Sequence, residues 1–326
     1  MAEFPENVRV IVPVHNTRQQ ILHLLDHLRS LHHKLPNSVF VVDDGSSDGT
    51  HEALRVAFPG SRVLRGNGSL FWTGAIRKGM EQALAEAVPY LFWLNHDCQP
   101  EPGSFEKLLR VLQDPEVGCV SALCYIAGHP GYPVNPGFRH FRPVLDQVGA
   151  GLLTVDGLNG NFVGFRADAV SRVGLPDEVH YPHYGDGPYT VRFSRAGYLV
   201  RVEPQARAAL NYECERRLAP FWRVTLSSKS GFFWLRYFFT SFKSPHHWKN
   251  RWHESLAFRG PVGILSYLKT QLSVLLQIFA GLLWQQVTPR AQRVRQAIAA
   301  HQKRFPAEKL RAELDSGVVN QPAMRD

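Results

Sequence analysis

Residues 38–50 read SVFVVDDGSSDGT, a run of β-branched and aromatic residues that ends in two carboxylates. Another apolar run, VRVIVPV at 8–14, precedes it, and the stretch between them has apolar residues at spacings of three and four. Short apolar runs separated by amphipathic helices predict βαβ units and a parallel sheet. The apolar face of the first predicted helix consists of Ile21, Leu24, Leu25, Leu28 and Leu31.

The same alternation continues and predicts an α/β fold with a Rossmann-like, mostly parallel central sheet flanked by helices. Further strands are expected at 62–64, 90–94 and 118–125, further helices near 51–58, 73–87 and 104–112, and strand or helix signals lie at 158–172 and 188–196. The stretch 128–143 is dense in Gly, Pro and His, which predicts a loop that is either a functional lid or a disordered segment. Ligand-binding loops are expected at the carboxyl ends of the strands.

The composition is that of a folded protein. The chain has 326 residues, 44% hydrophobic and 20% charged, so it can bury a sizeable core, and disorder is excluded for most of it.

Its four cysteines form no CxxC pair and are too few for a disulfide framework, which favours a reducing compartment. Glu3, Pro5 and Glu6 interrupt the N-terminus, and no apolar segment of signal-peptide length follows. We therefore expect a cytoplasmic protein.

Charge divides the chain into two expected domains, 1–215 and 216–326. The first has a net charge of −4, whereas the second has 18 basic and 5 acidic residues, a net charge of +13. Five of the seven tryptophans follow residue 220. Residues 270–289 are uncharged and approach the roughly 20 residues that cross a bilayer, but glutamines interrupt them. We expect a helical, basic region on an anionic membrane surface, peripheral on the inner face of the cell membrane, with packing into the folded body as the alternative.

Asp43 and Asp44 directly follow the apolar strand, at its carboxyl edge. Carboxylates in that position need hydrogen bonds from a ligand or from backbone N–H groups, and the glycines that follow allow the backbone to turn closely around them. This pattern favours a ligand-binding loop. The alternative is structural, because Asp44 and Asp48 are residue types that commonly cap a helix such as the one expected near Thr50.

A second carboxylate loop, LNHDC at 94–98, ends the strand YLFWL. Because Pro100 follows Asp97, the loop can be an ordinary turn. Asp97 also suits a divalent ion, since magnesium and manganese take oxygen ligands and usually combine one or two carboxylates with the phosphates of a substrate. Two carboxylate loops at neighbouring strand ends together favour a diphosphate site.

Six motifs occur in a characteristic order and spacing: VRVIVPVHNT, VFVVDDGSSDGT, GNGSLFWTGAIRKGM, YLFWLNHDCQPEPGSF, GLNGNFVGFRADAVSRVGLPDE and HYGDGPYTVRFSRAGY. Together they resemble the family-2 glycosyltransferases with the GT-A fold, in particular the rhamnosyltransferase-like branch. The resemblance covers about 8–212. It implies a nucleotide-binding half at about 8–125 and an acceptor and catalytic half at about 126–215.

The resemblance also implies roles for individual residues. On the donor side, one group would hold the base and ribose or shape the sugar-nucleotide pocket: Pro13, Val14, Asp43, Asp44, Gly68, Trp72, Lys78 and Asn95. Within it, Trp72 is either a pocket residue or a core residue. Asn95 and Asp97 stand on the first and last positions of the family's DxD metal motif, which implies Mg²⁺ or Mn²⁺ as cofactor.

On the acceptor side, the resemblance implies that Gly160, Asn161 and Phe162 line the sugar and acceptor pocket. Asp186 falls on the position of the catalytic carboxylate, which would remove the proton of the acceptor hydroxyl as its oxygen attacks. In-line attack of this kind inverts the anomeric configuration.

Three departures from the family pattern stand out. Asn95 replaces the first DxD acid, and Gly185 replaces the acid that usually precedes Asp186. A histidine usual some two dozen residues further on is missing from AALNYEC. His180 and His183 lie closer to Asp186 in the sequence, and His183 is a candidate metal ligand. The alternative is that either residue is an ordinary surface histidine.

These observations favour an inverting glycosyltransferase that moves a sugar from a nucleoside diphosphate to a lipid-linked or polysaccharide acceptor. The branch resemblance favours dTDP-rhamnose, and UDP-sugars are the alternative donors. There are two alternative functions. One is an inactive sugar-nucleotide-binding or membrane-surface adaptor, which Asn95 and Gly185 suggest, and the other is a nucleotidyltransferase. Nucleic-acid binding is not expected, because no nucleic-acid motif occurs and apolar runs interleave the basic residues. The oligomeric state is left open.

Overall fold

The computed structural model describes residues 7–127, 129–134, 136–140, 142–144, 151–211, 219–241, 244 and 246–304. The chain forms two compact units, Met1–Asn211 and Tyr212–Asp326. The boundary expected from charge, between 215 and 216, lies outside the described residues.

The first part of unit 1 alternates strands and helices. Its elements are β1 (Val8–Val14), α1 (Arg18–Leu31), β2 (Val39–Asp43), α2 (Thr50–Ala57), β3 (Arg62–Arg65), α3 (Phe71–Ala85) and β4 (Tyr90–Leu94). The four strands are parallel, in the spatial order β3-β2-β1-β4. Of the apolar face predicted for α1, the first four residues are buried and Leu31 is half-buried.

The second part of unit 1 continues the same sheet with mixed strand directions. Its elements are β5 (Cys98–Pro100), α4 (Ser104–Leu112), β6 (Val117–Ile126), β7 (His129–Val134), β8 (Phe138–Arg139), β9 (Arg142–Pro143), β10 (Leu153–Val155), β11 (Phe162–Arg166), α5 (Ala167–Val173), α6 (Asp186–Arg195) and β12 (Leu199–Leu210). The order along the main path of the ten-stranded sheet is β10-β12-β6-β11-β4-β1-β2-β3, with β5 paired to β12 and β7 to β6, whereas β8 and β9 form a separate two-stranded sheet. Strand β11 is antiparallel to both of its neighbours, β4 and β6. The predicted parallel arrangement therefore describes the first half of the sheet, and the second half is mixed.

The stretch 128–143, expected to be a loop, contains short strands. Strand β7 pairs antiparallel with β6, and β8 pairs with β9. Gly and Pro indicate loops because Pro cannot donate to a sheet ladder, but edge strands and short ladders tolerate both residues. Strand β7 lies at such an edge, beside the main path of the sheet.

Helices cover the sheet on both faces, as two consecutive aromatic residues of β4 illustrate. Because side chains alternate along a strand, neighbouring residues lie on opposite faces. Trp93 packs against Phe165 and Tyr189, whereas Phe92 packs against Phe105 of α4. Both rings are fully buried, so the strand that carries LNHDC at its end is fixed from both sides.

Unit 2 is helical in its described residues. It contains α7 (Pro220–Leu226), α8 (Gly231–Thr240), α9 (Trp248–Arg259), α10 (Gly263–Val287) and α11 (Arg290–Arg304). Its core combines Val224, Trp234, Tyr237, Phe238, Val274 and Ile278. Among the described residues, the segment Gly260–Val287 is long and apolar enough to cross a membrane, judged by length and composition alone.

Candidate functional site

The carboxylate of Asp44 attaches the loop 66–71 to the end of β2. Its Oδ1 accepts a hydrogen bond from the backbone N–H of Gly68 at 2.8 Å, and its Oδ2 accepts one from Phe71 at 3.0 Å. The side chain is buried, and both oxygens are used by the protein's own backbone. A carboxylate has about four lone-pair positions, so Asp44 retains acceptor capacity for a ligand.

Asp43 and Asp48 have different roles in the same loop. Asp43 is fully buried, its Oδ1 accepts the N–H of Ser46, and its Oδ2 has no hydrogen-bond partner within the described residues. Asp48 accepts the N–H groups of Arg18 and Thr50. Although burial raises the pKa of Asp48, hydrogen bonds from Thr50 and Arg18 lower it below the ordinary value. The helix-capping alternative therefore applies to Asp48, whereas Asp44 bonds the loop 66–71.

Three consecutive residues at the start of α3 contact three different loops. Phe71 donates its N–H to Asp44, and the indole N–H of Trp72 donates to Asn95 Oδ1 at 2.9 Å. Thr73 Oγ1 accepts the N–H of Gly185 at 3.1 Å. Phe71 has a φ of +54°, a left-handed conformation that costs a non-glycine residue of order 1–3 kcal/mol and that clusters at functional sites. The start of α3 thus connects the ends of β2 and β4 to the loop before α6.

Asp186 lies in the same region as Asn95. Its Oδ2 accepts the N–H of Gly160 at 2.7 Å. The next residue, Asn161, pairs twice with Asn95: its carbonyl oxygen accepts the Asn95 N–H at 2.9 Å, and its Oδ1 accepts from Asn95 Nδ2 at 3.2 Å. Two successive residues therefore link the proposed base to the first position of the metal motif.

Gly160 and Gly185 are glycines because other groups occupy the space of a side chain. A Cβ on Gly160 would lie 2.6 Å from two ring atoms of Trp72 and 3.0 Å from the Cβ of Asp186. A Cβ on Gly185 would lie 2.5 Å from Cγ2 of Thr73 and 2.6 Å from its Oγ1. The acid that usually precedes Asp186 has no room here, since Thr73 fills that space.

Asp97 is half-buried two residues beyond Asn95, and its carbonyl oxygen accepts the N–H of Asn211 at 2.8 Å. Burial raises the pKa of the adjacent Cys98 thiol well above its usual value, with smaller contributions from Cys124 and Asp97. The thiol therefore stays protonated at neutral pH and is a poor metal ligand. No group of three or more His, Cys, Asp or Glu that could hold a metal occurs in the part of the chain that the structure describes.

The two candidate histidines differ in position. The ring of His183 packs edge-on against Phe71 with the centroids 4.6 Å apart, which places it beside the start of α3. His180 Nδ1 lies 2.7 Å from Asp177 Oδ2. Burial raises the pKa of Asp177, but hydrogen bonds and charge from His180 lower it below the ordinary value. His180 thus pairs with Asp177, whereas His183 lies beside Phe71 and is the histidine near the site.

The remaining predicted residues are placed as follows. Pro13 and Val14 are buried at the end of β1, where the carbonyl oxygen of Val14 accepts the N–H of Asp44 at 2.9 Å. Lys78 is half-buried in the middle of α3. Phe162 is fully buried, and its ring packs against Phe105 with the centroids 4.7 Å apart.

Trp72 contacts both the core and the loop after β4. Its ring packs perpendicular to Trp93 in the core, with centroids 5.3 Å apart, while its N–H reaches Asn95. Sequence reasoning missed Thr73 altogether. The signal was Gly185, because a glycine in the place of a usual acid indicates that another group occupies the space.

Residues 9–174 match the sequence profile described as "Glycosyl transferase family 2". The chain belongs to glycosyltransferase family 2. It is therefore a glycosyltransferase, and the nucleotidyltransferase and adaptor alternatives lose their support.

One relative and two solved structures are similar to this glycosyltransferase. The chain is 25% identical over 284 residues to "N-acetylglucosaminyl-diphospho-decaprenol L-rhamnosyltransferase" of Mycobacterium tuberculosis, in two strains, with 77% of this chain and 91% of the relative covered. A mannosyltransferase from Pyrobaculum calidifontis, PcManGT, in complex with GDP-Man and Mn²⁺ has a TM-score of 0.51 at 16% identity, covering 96% of this chain and 84% of that one.

GalNAc-T7, solved with UDP, GalNAc and Mn²⁺, has a TM-score of 0.52 at 15% identity. The match covers 64% of this glycosyltransferase and 45% of the GalNAc-T7 chain, so this chain spans less than half of that protein. At these identities the structural likenesses establish the GT-A fold.

Replacing Asp44 by Ala in this glycosyltransferase is expected to lower the free energy of unfolding by about 1–3 kcal/mol, because the N–H groups of Gly68 and Phe71 lose their hydrogen bonds to this buried carboxylate. Denaturant titration measures the change. Asp26→Ala is the control, since Asp26 is exposed and pairs with Arg29 on its own helix. Equal stability of the Asp44 variant and wild type would contradict the assigned role of this carboxylate.

Thr73 is predicted to be a positioning residue for Asp186. Thr73→Val keeps the shape but removes the hydroxyl that accepts from Gly185 and donates to the carbonyl of Tyr181. We expect kcat to fall about tenfold or more with little change in the KM for the donor, since a shifted base weakens the chemical step more than donor binding. Thr73→Ser, which retains the hydroxyl, should restore most of kcat. Equal kcat values for the Val and Ser variants would refute the role.

Proposed function

We propose that the protein is an inverting glycosyltransferase that transfers a sugar, with dTDP-rhamnose as the favoured donor, to a hydroxyl of a lipid-linked acceptor. The rhamnosyltransferase relative supports this choice by its name, which specifies L-rhamnose and a diphospho-decaprenol lipid. UDP-sugars are the alternative donors, and a polysaccharide is the alternative acceptor. The observation that carries the proposal is the linkage of Asp186 to Gly160 and of Asn161 to Asn95, which brings the proposed base close to the proposed metal motif.

The chain's own residues supply the acceptor half of the reaction. Asp186 stands at the first position of α6, half-buried, with Oδ2 oriented by the N–H of Gly160. Its carboxylate takes the proton of the acceptor hydroxyl as that oxygen forms a bond to the anomeric carbon. The bond from the anomeric carbon to the diphosphate breaks, and the nucleoside diphosphate leaves with the electron pair. Because attack and departure occur on opposite faces, the configuration inverts.

The donor half requires the diphosphate to be held near Asp97. We propose that Asp97 holds a divalent cation, Mg²⁺ or Mn²⁺, with His183 as a further candidate ligand. The oxygen donors fit such an ion, which takes one or two carboxylates and completes its shell with substrate phosphates. Asn95 contributes less, because its amide is neutral and one of the two lone pairs of its Oδ1 already accepts the N–H of Trp72. When bound, the cation offsets the negative charge that develops on the leaving diphosphate.

A ligand panel tests the proposal. The thermal unfolding midpoint is measured with dTDP-rhamnose, dTDP, UDP-galactose and UDP-N-acetylglucosamine, each with and without Mn²⁺. A ligand that prefers the folded state raises the midpoint, so we expect the largest rise with dTDP-rhamnose plus Mn²⁺. Release of dTDP in the presence of a polyprenyl diphosphate sugar tests transfer. Stabilisation by UDP-sugars alone would replace the favoured donor, and no stabilisation by any nucleotide would overturn the proposal.

We also propose that the enzyme works at the cytoplasmic face of the cell membrane, where a lipid-linked acceptor is exposed. Unit 2 carries the features that support this location: its basic charge and the exposed apolar side of α10.

A further inference from the structure

Helix α10 exposes a continuous line of large apolar residues, called the α10 stripe below. Its members are Leu265, Leu268, Leu272, Leu276, Phe279, Leu283 and Val287, each between 51% and 75% exposed. Their spacing of three or four residues places them on one side of a helix. The 22 steps from Leu265 to Val287, at about 1.5 Å each, make the stripe about 33 Å long. An exposed apolar surface of this extent marks an interaction site.

The opposite side of α10 is fixed in unit 2. Val274 and Ile278 are buried in the core with Trp234 and Phe238. Gly281 allows close approach to α7, since a Cβ there would lie 2.9 Å from the carbonyl oxygen of Phe221. The helix therefore cannot rotate to bury the α10 stripe without giving up this core.

The helix that follows the α10 stripe in the chain is basic. Helix α11 follows after two residues and contains Arg290, Arg293, Arg295, Lys303 and Arg304 but no acidic residue. Unit 2 also has exposed tryptophans, Trp248 and Trp252 on α9 and Trp284 on α10. Tryptophan and basic residues beside an apolar helix face are typical of helices at the interface of anionic membranes. A second copy of this chain would bring like charges together, which disfavours a dimer through this face.

We propose that the α10 stripe lies flat in the interface of a membrane that contains anionic phospholipid, parallel to the bilayer plane. The proposal rests on the proposed function in one respect, because a lipid-linked acceptor gives the surface its purpose. A spanning orientation would carry the packed helices, including the Arg251–Glu254 ion pair of α9, into hydrocarbon. Lys269, exposed within α10, can reach the headgroups from an interfacial position.

Vesicle flotation tests the proposal with the full chain and a matched pair of double variants. Leu272→Glu with Leu276→Glu places two charges on the α10 stripe, and Ser273→Glu with Gln277→Glu places the same charges, at the same spacing, beside it. On phosphatidylcholine vesicles with phosphatidylglycerol, we expect the stripe variant to lose at least tenfold in the bound fraction and the control to lose less than threefold. Without phosphatidylglycerol, wild-type binding should fall at least tenfold.

Two further measurements complete the test. Alkaline carbonate should release the wild-type protein from vesicles, and retention would overturn the flat orientation. Nucleotide-induced thermal stabilisation, unchanged in both variants, shows that unit 1 is intact, so that loss of membrane binding is distinguished from failure of the proposed function. Equal binding of the stripe variant and the control, or a wild-type dimer that the stripe variant converts to monomer, would overturn the membrane assignment.

Discussion

Asp186→Asn is expected to lower turnover by about 10²- to 10⁴-fold while leaving the affinity for the nucleotide donor unchanged. The amide cannot take the proton of the acceptor hydroxyl. It can still accept the N–H of Gly160 through its oxygen, so the loop before α6 should keep its position. Stopped-time transfer assays give the turnover, and nucleotide titration gives the affinity. A thermal midpoint near that of wild type separates a chemical defect from misfolding.

The matched control is Asp168→Asn. Asp168 also lies in the first turn of a helix, α5, and its carboxylate pairs with Arg166 at the surface. The same loss of charge at this position should leave turnover within about twofold, since surface ion pairs contribute little. Wild-type turnover in Asp186→Asn, or an equal loss in both variants, would exclude Asp186 as the base.

The fold of unit 1 was predictable because its strands and helices differ in apolar period. Buried parallel strands give continuous apolar runs such as VRVIVPV, and the helix between β1 and β2 repeats its apolar residues every three or four positions. The mixed half of the sheet was harder to predict from the sequence. Strand β7 contains Pro130 and Pro133, which indicate a loop by local rules, and edge pairing with β6 is a tertiary effect.

The candidate site was predictable in its residue types but not in its connections. Carboxylates after apolar strands indicate a ligand site, and the structure places Asp44 and Asp97 at strand ends of one sheet. The partner of each polar atom depends on distant segments. Asn95 Oδ1 accepts from Trp72, 23 positions away, and Gly185 bonds Thr73 across 112 positions. Local sequence patterns contain no signal for such pairs. A motif position likewise does not show on which face of the sheet a side chain lies, and the ring of Phe162 lies in the core against Phe105.

Gly160→Ala is expected to lower turnover by roughly 10²-fold, because the site has no space for a methyl group and a displaced base loses its alignment. The added Cβ would lie 2.6 Å from Cζ2 and Cη2 of Trp72 and 3.0 Å from the Cβ of Asp186, so Trp72 or Asp186 must move. Overpacking of this kind also costs about 1–3 kcal/mol of unfolding free energy. Gly79→Ala is the control, since its Cβ would meet Ile11 in the core at 2.4 Å. It should lower stability by a similar amount without changing turnover per folded molecule.

A second substitution identifies the group responsible. Phenylalanine lacks both Trp72 atoms that the new methyl would meet, so Trp72→Phe should restore part of the stability lost in Gly160→Ala, although Trp72→Phe alone loses the hydrogen bond to Asn95. A double-mutant cycle on unfolding free energy is expected to give a favourable interaction of about 0.5–3 kcal/mol between the two changes. Additive effects, or wild-type turnover in Gly160→Ala, would mean that Trp72 and Asp186 are not packed around residue 160, and the single-site arrangement that links the base to the metal motif would fail with them.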